Sequence, residues 1–408
     1  MGLAAHPGRA ALALGAIVGL GLAAGGCASG DKRELHVYFV DCFRTTPTTA
    51  RATTADAVRG AQLALADSHG RAGRFKVRLI PLDISRPDLE VDLKRAASYA
   101  HRAARDPRAV AYIDACSSEA AATALPVTNR AGLLHVGAEA SYPGLTRREG
   151  GRPGDPAGFY PTGRRTFGRV LLTDDVDAAA VAAYMRRERV HRAVAIPAGF
   201  SLSSPAAVAA FARAAPRAGI RLVGGAELFR GIGPSDAREL ARRVAATGAE
   251  ALFFAGCPTA KEASEFAESA PRIKIFLGGC NTTRRIVDDP ELTTSYYAVG
   301  PAMTIGDTRL RRRFTERFRD VYGVTGERTS PLIDYEAMAL VLDCIRRAGP
   351  DGDKRAALVR RLFTTRNRRS VIGTYSIDRN GDPTLPAYGL YRVEPHRLVS
   401  TGLFRVRD

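Results

Sequence analysis

The sequence predicts an α/β protein with two lobes, each a parallel sheet flanked by helices. Two observations lead to this prediction. Short apolar runs alternate with helical patterns, and this alternation occurs twice along the chain. The chain also has 408 residues, more than one compact core usually holds, and 45% of them are apolar, which excludes a disordered chain. Because parallel strands need crossover connections, we expect a doubly wound, Rossmann-like sheet in each lobe.

The first half of the chain contains four apolar runs that are typical of buried strands. They are Val37–Val40, Val77–Ile84, Val110–Ala115 and Leu133–Val136. Apolar residues between them recur at helical spacing, as at Val58, Ala61 and Leu65, and a further helix is predicted over Leu89–Ala104. Residues 146–165 are rich in Gly, Pro and Arg, a composition that predicts an irregular surface loop.

The second half repeats the alternation before it ends in helices and a hairpin. Its predicted strands are Ala193–Pro197, Arg221–Leu228, Ala251–Ala255, Ile273–Leu277 and Tyr296–Val299. Asp236, with Glu239 three residues later, has the spacing of an N-terminal capping box. Later helices are predicted over Arg309–Tyr322, Asp334–Ala348 and Lys354–Thr364. The final hairpin is predicted where Tyr375–Ile377 turns at residues 378–381 toward Tyr388–Val393.

The N-terminus has the features of an export signal. Arg9 precedes the uncharged apolar segment Ala10–Ala24, which has signal-peptide length and is short for a membrane span. Small residues then lead to Cys27 and a polar linker, an arrangement that resembles the lipobox of bacterial lipoproteins, whose cysteine becomes the acylated first residue. We therefore expect residues 1–26 to be a signal peptide, residues 27–34 an anchor linker and Cys27 the lipidated residue. An ordinary secretory cleavage site is the alternative.

The charge balance has to be interpreted together with this export signal. Lys and Arg number 60 against 42 Asp and Glu, which gives a formal net charge of +18. Such an excess is typical of nucleic-acid-binding proteins. An exported chain does not meet nucleic acid, so we expect an extracytoplasmic protein that is held at the cell membrane by its lipid anchor and has no nucleic-acid partner.

Several segments, taken in order along the chain, resemble the receptors for branched-chain amino acids. They are Gly60–Ala66, Lys76–Asp83, Cys116–Ala120, Pro126–Gly132, Ala140–Thr146, Asp334–Ala337 and Ile372–Asp378. The resemblance to this Leu/Ile/Val-receptor family implies the type I periplasmic binding protein fold, in which a three-stranded hinge joins the two lobes. It also implies that the protein closes on a small-molecule ligand and presents it to an ABC permease. We accordingly expect a non-enzymatic monomer with no cofactor and no metal.

The same resemblance implies where the chain passes between the lobes. In that fold the crossings would lie near residues 166, 303 and 371. Lobe 1 would then comprise residues 35–165 and 304–370, and lobe 2 residues 166–303 and 371–408.

Ser117 and Ser118 stand where a predicted strand ends and an alanine-rich helix begins. In open parallel sheets, ligands bind beyond the carboxyl ends of the strands, where helix N-termini offer unpaired N–H groups. A serine at such a turn either caps the helix or binds a ligand carboxylate. The family resemblance favours binding, and it implies that this turn and the turn at Ala140 and Ser141 hold the carboxylate and amine of the ligand.

The second lobe departs from the family pattern. Ser203, Cys257 and Cys280 stand where the family usually has a stacking tyrosine, an aromatic contact and an acid that accepts from a ligand ammonium. Phe200 and Asn281 are candidates for replacement contacts. Because a buried ammonium without a carboxylate is costly to desolvate, we expect an amino-acid-like ligand that is neutral or anionic.

Five further cysteines lie in a chain that is predicted to fold in an oxidising compartment, which favours disulfides. Cys42 and Cys116 follow the first and third predicted strands, and Cys257 and Cys280 end consecutive strands of the second lobe. A doubly wound order makes each pair of strands neighbours, about 4.8 Å apart, within disulfide reach. We predict the bridges Cys42–Cys116 and Cys257–Cys280, and a buried helical position for Cys344.

Two other functions remain open. A ligand-sensing lipoprotein that signals to a membrane partner without transport would have the same fold, but its partner need engage only one lobe. A serine hydrolase is a remote alternative, because Gly199–Ser203, Asp378 and His396 give the order Ser, Asp, His, whereas Ser203 replaces the glycine that a nucleophile elbow needs. The acidic run Asp174–Asp177 is interpreted as a helix cap rather than a metal site.

Overall fold

A computed structural model describes most of the chain after the N-terminal segment. The described residues are 34–42, 50–86, 91–197, 202–229, 236–256, 258–278, 292–301, 308–323, 329–395 and 397–406. All of them belong to one compact unit, Arg33–Asp408.

The first sheet is formed by six strands and is parallel except at one edge. The strands are β1 (Glu34–Asp41), β2 (Arg71–Ala72), β3 (Phe75–Asp83), β4 (Ala109–Asp114), β5 (Leu134–Gly137) and β6 (Phe167–Arg169). Their order is β2-β3-β1-β4-β5-β6, and only β2 runs antiparallel to its neighbour. The carboxyl ends of β1, β4, β5 and β6 therefore meet at one edge of the sheet.

The second sheet has seven strands in the order β15-β14-β11-β10-β9-β7-β8. They are β7 (Arg192–Pro197), β8 (Arg221–Leu222), β9 (Ala251–Ala255), β10 (Lys274–Gly278), β11 (Tyr296–Pro301), β14 (Ala387–Glu394) and β15 (Arg397–Arg405). The strands β7 to β11 pair in parallel, whereas β14 and β15 add an antiparallel hairpin to the β11 edge. A separate short hairpin joins β12 (Arg368–Ser370) to β13 (Gly373–Tyr375).

Ten α-helices in the described residues surround the two sheets. They are α1 (Ala50–Asp67), α2 (Leu93–Arg105), α3 (Ser118–Arg130), α4 (Asp174–Arg187), α5 (Ser204–Ala214), α6 (Ala237–Ala246), α7 (Ala260–Ser269), α8 (Thr308–Tyr322), α9 (Thr329–Ala348) and α10 (Arg355–Phe363). Among the residues that are described, no helix is long and apolar enough to cross a membrane.

Helices cover both faces of the first sheet, which is why its central strands are apolar at nearly every position. Successive residues of a strand point to opposite faces. In β1, Val37 and Phe39 belong to the core that Ile333 of α9 completes, whereas Tyr38 belongs to a second core with Ala100 of α2. The strand–helix alternation of the sequence therefore predicts the α/β class correctly, and the two-sheet architecture is confirmed.

Two sequence predictions fail in detail. The strand predicted over Arg221–Leu228 pairs only at its first two residues, because Gly224 and Gly225 interrupt it. The predicted terminal hairpin has the wrong partner, since Arg368 pairs with Tyr375 in the β12–β13 hairpin while β14 pairs with β11 and β15. The predicted turn does form, and the Asp378 carboxylate accepts backbone N–H groups of the following residues.

The sheets and the predicted lobe boundaries correspond only in outline. After residue 165 the chain still forms β6, which pairs with β5, so the passage to the second sheet lies after Arg169. The predicted crossing near residue 303 falls outside the described residues. The strands β14 and β15, which follow residue 371, belong to the second sheet. The exact division into lobes stays a prediction.

Candidate ligand-binding site

Two of the predicted site residues begin helix α3 at the carboxyl end of β4. Ser117 is the N-cap, and its side chain accepts the backbone N–H of Ala120 at 3.2 Å, so the capping role is confirmed for this serine. Ser118 is buried, and its Oγ accepts the backbone N–H of Tyr142 at 3.0 Å. The hydroxyl of Ser118 therefore connects the end of β4 to the turn that follows β5.

That second turn contains the predicted residues Ala140 and Ser141, and both are buried. One residue of β6, Arg169, holds the turn in place. Its Nη1 donates to the carbonyl oxygens of Ala140 at 2.6 Å and of Tyr142 at 3.0 Å. The turn thus has a fixed backbone, which leaves Ser141 at its centre between two bound carbonyl groups.

Arg169 has no exposed surface, which is exceptional for arginine and requires that its donors be satisfied. Besides the two carbonyl groups, Nη2 donates to Thr146 Oγ1 at 2.8 Å, and Nε lies 2.9 Å from Asp382 Oδ1. Asp382 belongs to the turn at residues 378–382, so this ion pair ties the late part of the chain to the first sheet. Sequence reasoning did not identify Arg169.

A close contact between backbone atoms also holds the turn at residues 378–382 against β6. The backbone N–H of Arg169 donates to the carbonyl oxygen of Gly381 at 2.9 Å. Gly381 has φ +101, and a Cβ there would lie 2.3 Å from the carbonyl oxygen of Phe167. Only glycine fits, for both conformational and steric reasons.

Residues at the start of helix α5, which packs on the second sheet, also contact the start of α3. Ser203 is the N-cap residue of α5, and its hydroxyl donates to Ser118 Oγ at 3.0 Å. The adjacent Leu202 donates its backbone N–H to the carboxylate of Glu119 and packs on an apolar cluster that includes Tyr142. The N-termini of α3 and α5 therefore face each other where the two sheets' helices meet.

Asp174 completes this group of polar residues. It is the first residue of α4 rather than its cap, which is Thr173, and it is almost entirely buried. The hydroxyl groups of Ser141 and Ser203 favour the ionised form of its carboxylate, and its backbone N–H donates to the Ser141 carbonyl oxygen at 3.1 Å. Burial raises the pKa of Asp174 to about 6. The helix-cap interpretation was thus incomplete, because it missed this buried contact.

The predicted disulfide between Cys42 and Cys116 is confirmed, with a Cα–Cα distance of 5.2 Å. It joins the ends of β1 and β4 and immediately precedes Ser117. Below it lies the fully buried Asp114, whose Oδ1 accepts the backbone N–H of Cys116 at 3.2 Å. Burial, with the nearby charge of Asp41, raises the pKa of Asp114 to about 8.

The raised pKa of Asp114 predicts a pH-dependent stability. The folded state holds its proton up to pH ~8, whereas the unfolded chain loses it near pH ~4. Between these values the folded state binds more protons, so the free energy of unfolding falls as pH rises. We expect Asp114→Asn to reduce this dependence in urea titrations from pH 4 to 9. The exposed Asp353→Asn is the control, and an equal slope in both variants would contradict the prediction.

Several predicted residues cannot be placed. Phe200, Cys257, Cys280 and Asn281 lie outside the described residues, and so does the predicted bridge between the two cysteines. The strands that precede those cysteines, β9 and β10, are parallel neighbours, which is the arrangement on which the prediction depends. Cys344 is buried and not bridged, as predicted. The structure thus brings together Ser117, Ser118, Ala140, Ser141 and Ser203.

Comparison with known proteins defines the class to which this fold and site belong. A sequence profile of the family described as periplasmic binding protein matches residues 44–396. The chain therefore belongs to the periplasmic binding protein family. Proteins of this family bind solutes outside the cytoplasm and are not enzymes, which supports the prediction that the chain is not an enzyme. A search of curated protein sequences found no match.

Three solved structures illustrate the likeness. A leucine-binding protein from Thermotoga maritima has a TM-score of 0.73 at 18% identity, covering 91% of this chain and 99% of the other. A solute-binding protein of an ABC transporter from R. palustris, in complex with benzoate, gives 0.72 at 15% identity, covering 92% and 98%. A branched-chain amino acid transporter substrate-binding protein from Streptococcus pneumoniae, in complex with isoleucine, gives 0.69 at 15%, covering 92% and 100%. At these identities the likeness concerns the fold.

Proposed function

We propose that this chain is the extracytoplasmic substrate-binding component of an ABC transporter, and that it closes about a hinge on a small amino-acid-like solute. One observation carries the proposal more than any other. Ser118 and Ser203, from helices on the two different sheets, meet at the carboxyl ends of the strands with their hydroxyl oxygens 3.0 Å apart. Ligands of open parallel sheets bind at that edge.

The polarity of this edge supports a ligand with a carboxylate. The N-terminus of α3 carries partial positive charge, which favours an anionic group. Leucine, isoleucine and benzoate, the ligands named for the similar structures, share a carboxylate. We therefore propose an amino-acid-like solute, neutral or anionic in net charge, whose carboxylate lies against Ser117 and Ser118.

The direct contact between Ser118 and Ser203 has a consequence for the mechanism. Two hydroxyl groups in hydrogen-bond contact leave no space for a ligand between them. A ligand that contacts both serines must separate the helices α3 and α5, so entry and release require the lobes to move apart. Rotation about connecting strands is the usual form of such motion in two-lobed proteins.

The serine assignments can be tested by substitution. We expect Ser118→Ala combined with Ser141→Ala to weaken ligand binding about 10- to 100-fold, because each hydroxyl lost from a charged ligand group removes a strong hydrogen bond. Calorimetric titration with the ligand that co-purifies or with a bound member of an amino acid library measures the effect. Thr123→Ala, on the same helix, is the control, since its hydroxyl donates to the Glu119 carbonyl oxygen. Unchanged affinity in the double variant would refute the assignment.

Attachment to the membrane is the remaining part of the proposal. The lipobox-like sequence around Cys27 supports a lipid anchor that keeps a monomeric receptor near its permease. Mass spectrometry of the mature chain should find an N-terminal Cys27 with added diacylglycerol and acyl mass. An unmodified N-terminus at any other residue would contradict the anchor.

A further inference from the structure

A group of basic side chains lies at the end of the first sheet that is opposite the candidate ligand site. Its members are all exposed, and we call them the basic corner: Lys76 and Arg78 of β3, Arg102 and Arg105 of α2, and Arg108, which precedes β4. Ser118 follows the carboxyl end of β4, whereas Arg108 precedes its amino end. Because β4 has six residues, about 20 Å separate the two ends.

The two basic residues of β3 lie on the face of the sheet that α2 covers. Ile80 of the same strand packs against the core beneath α2. Side chains two and four residues away along a strand point to the same face. Arg78 and Lys76 therefore project on the α2 side of the sheet, near the amino end of β3.

Contacts with β1 place the other basic residues beside this strand end. The guanidinium group of Arg102 lies over the ring of Tyr38, 6.0 Å from its centroid. Arg108 Nη1 lies 3.7 Å from Glu34 Oε1, and Glu34 is directly opposite Lys76 in the parallel pairing of β1 with β3. The end of α2 and the start of β3 thus form one continuous basic surface.

This surface has a net positive charge, because few acidic side chains lie within it and these contact a histidine. The buried His36 places Nδ1 2.6 Å from Asp106 Oδ2 and Nε2 3.3 Å from Glu34 Oε1. Three members of the basic corner form no ion pair with a carboxylate in the described part of the chain; they are Arg78, Arg102 and Arg105. An anionic partner would therefore find cations that are not already neutralised.

The chain enters the first sheet at this same corner. Glu34 begins β1 and is the seventh residue after Cys27, the predicted site of lipidation. A chain of that length spans at most about 25 Å. A membrane that holds the acyl chains of Cys27 would therefore lie within about that distance of Glu34, which contacts Arg108.

We propose that the basic corner binds the headgroups of anionic phospholipids and so sets the orientation of the anchored receptor on the membrane. A lipid anchor fixes only one point of the chain, whereas an anionic surface attracts Lys and Arg side chains within a Debye length, about 8 Å at physiological salt. With the corner against the lipid, the Ser118 end of β4 points away from the membrane, where solute can reach it. This inference rests on the lipid anchor in the proposed function.

Vesicle binding by the mature chain without its lipid tests the inference. Residues 27–408 with Cys27→Ser include the whole compact unit, and their binding reports the protein surface alone. Cosedimentation at low ionic strength would compare phosphatidylcholine vesicles with vesicles that contain phosphatidylcholine and phosphatidylglycerol in equal amounts. The test variant combines Arg78→Gln, Arg102→Gln and Arg105→Gln. The matched control removes the same charge from exposed arginines on and after the helices α4 and α5, with Arg186→Gln, Arg213→Gln and Arg217→Gln.

We expect the wild-type chain to bind the mixed vesicles and not those of phosphatidylcholine alone. The test variant should bind the mixed vesicles about 100-fold more weakly, because each basic side chain near an anionic surface contributes about fivefold. The control should stay within about threefold of wild type, since screening removes distant charges. Thermal unfolding verifies that both variants are folded.

Equal binding of the wild-type chain to both kinds of vesicle would overturn the inference even if the test variant failed to fold. Equal losses in the two folded variants would also overturn it, because they would show a response to net charge alone. Binding of heparin without binding of the mixed vesicles would assign the corner to an anionic polymer instead of the membrane. Each of these failures leaves the anchor itself standing, because the mass of the mature chain tests Cys27 separately.

Discussion

Replacement of Arg169 by methionine is expected to lower the free energy of unfolding by about 3–5 kcal/mol and to abolish ligand binding. Arg169 is fully buried, and its partner Asp382 has a side chain that is only 14% exposed. Removing one member of such a pair leaves the other uncompensated. The carbonyl groups of Ala140 and Tyr142 would also lose their donor, so the turn that contains Ser141 would no longer be held.

The matched control for this substitution is Arg147→Met. Arg147 also lies near Asp382, and it pairs with Asp175 at 2.7 Å, but its side chain is 26% exposed. Partly exposed ion pairs contribute about 1 kcal/mol or less, so the control should lose little stability. Urea denaturation gives both values. If the two variants had equal transition midpoints, the structural role assigned to Arg169 would be wrong.

Loss of the Cys42–Cys116 disulfide should have an effect of similar size. The two cysteines are 74 residues apart in sequence, and closing a loop of that length restricts the unfolded chain by about 4 kcal/mol. We expect the double variant Cys42→Ser, Cys116→Ser to be less stable by up to this amount. Ligand affinity should fall as well, because the bridge fixes the strand end that immediately precedes Ser117 and Ser118.

The wild-type protein and the double variant are compared under oxidising conditions, because a reductant would also break any other disulfide. Reductant should then destabilise the wild-type protein more than the double variant. Equal stability of the oxidised wild-type protein and the variant, together with equal ligand affinity, would show that this bridge constrains neither the unfolded chain nor the binding turn.

Much of the fold follows from the sequence because buried parallel strands have a strong signal. Apolar runs such as Val110–Ala115 are continuous when helices cover both faces of a sheet, and helical spacing separates them. A doubly wound order makes β1 and β4 adjacent strands, and this adjacency predicts the disulfide between Cys42 and Cys116. The final hairpin was assigned to the wrong strands, because pairing with β11 is a long-range contact that local turn residues do not reveal.

The sequence predicts only those residues of the candidate site that follow the ends of strands. Ser118 and Ser141 follow β4 and β5 directly, so topology alone brings them together. Asp174 and Arg169 were missed because charged residues are usually exposed, and their burial depends on partners distant in sequence. One signal could have identified Arg169: a single arginine followed directly by the apolar run Val170–Leu172 is unusual unless it has buried partners.

The central claim is that the lobes close on a ligand, and a distance measurement tests it most directly. Single-molecule energy transfer between dyes at Arg102 on α2 and Arg242 on α6, both exposed, reports the separation of helices that flank the two different sheets. A ligand that calorimetry has shown to bind should convert a broad or longer distance distribution into one narrow, shorter population. An identical distribution with and without that ligand at saturation would contradict closure.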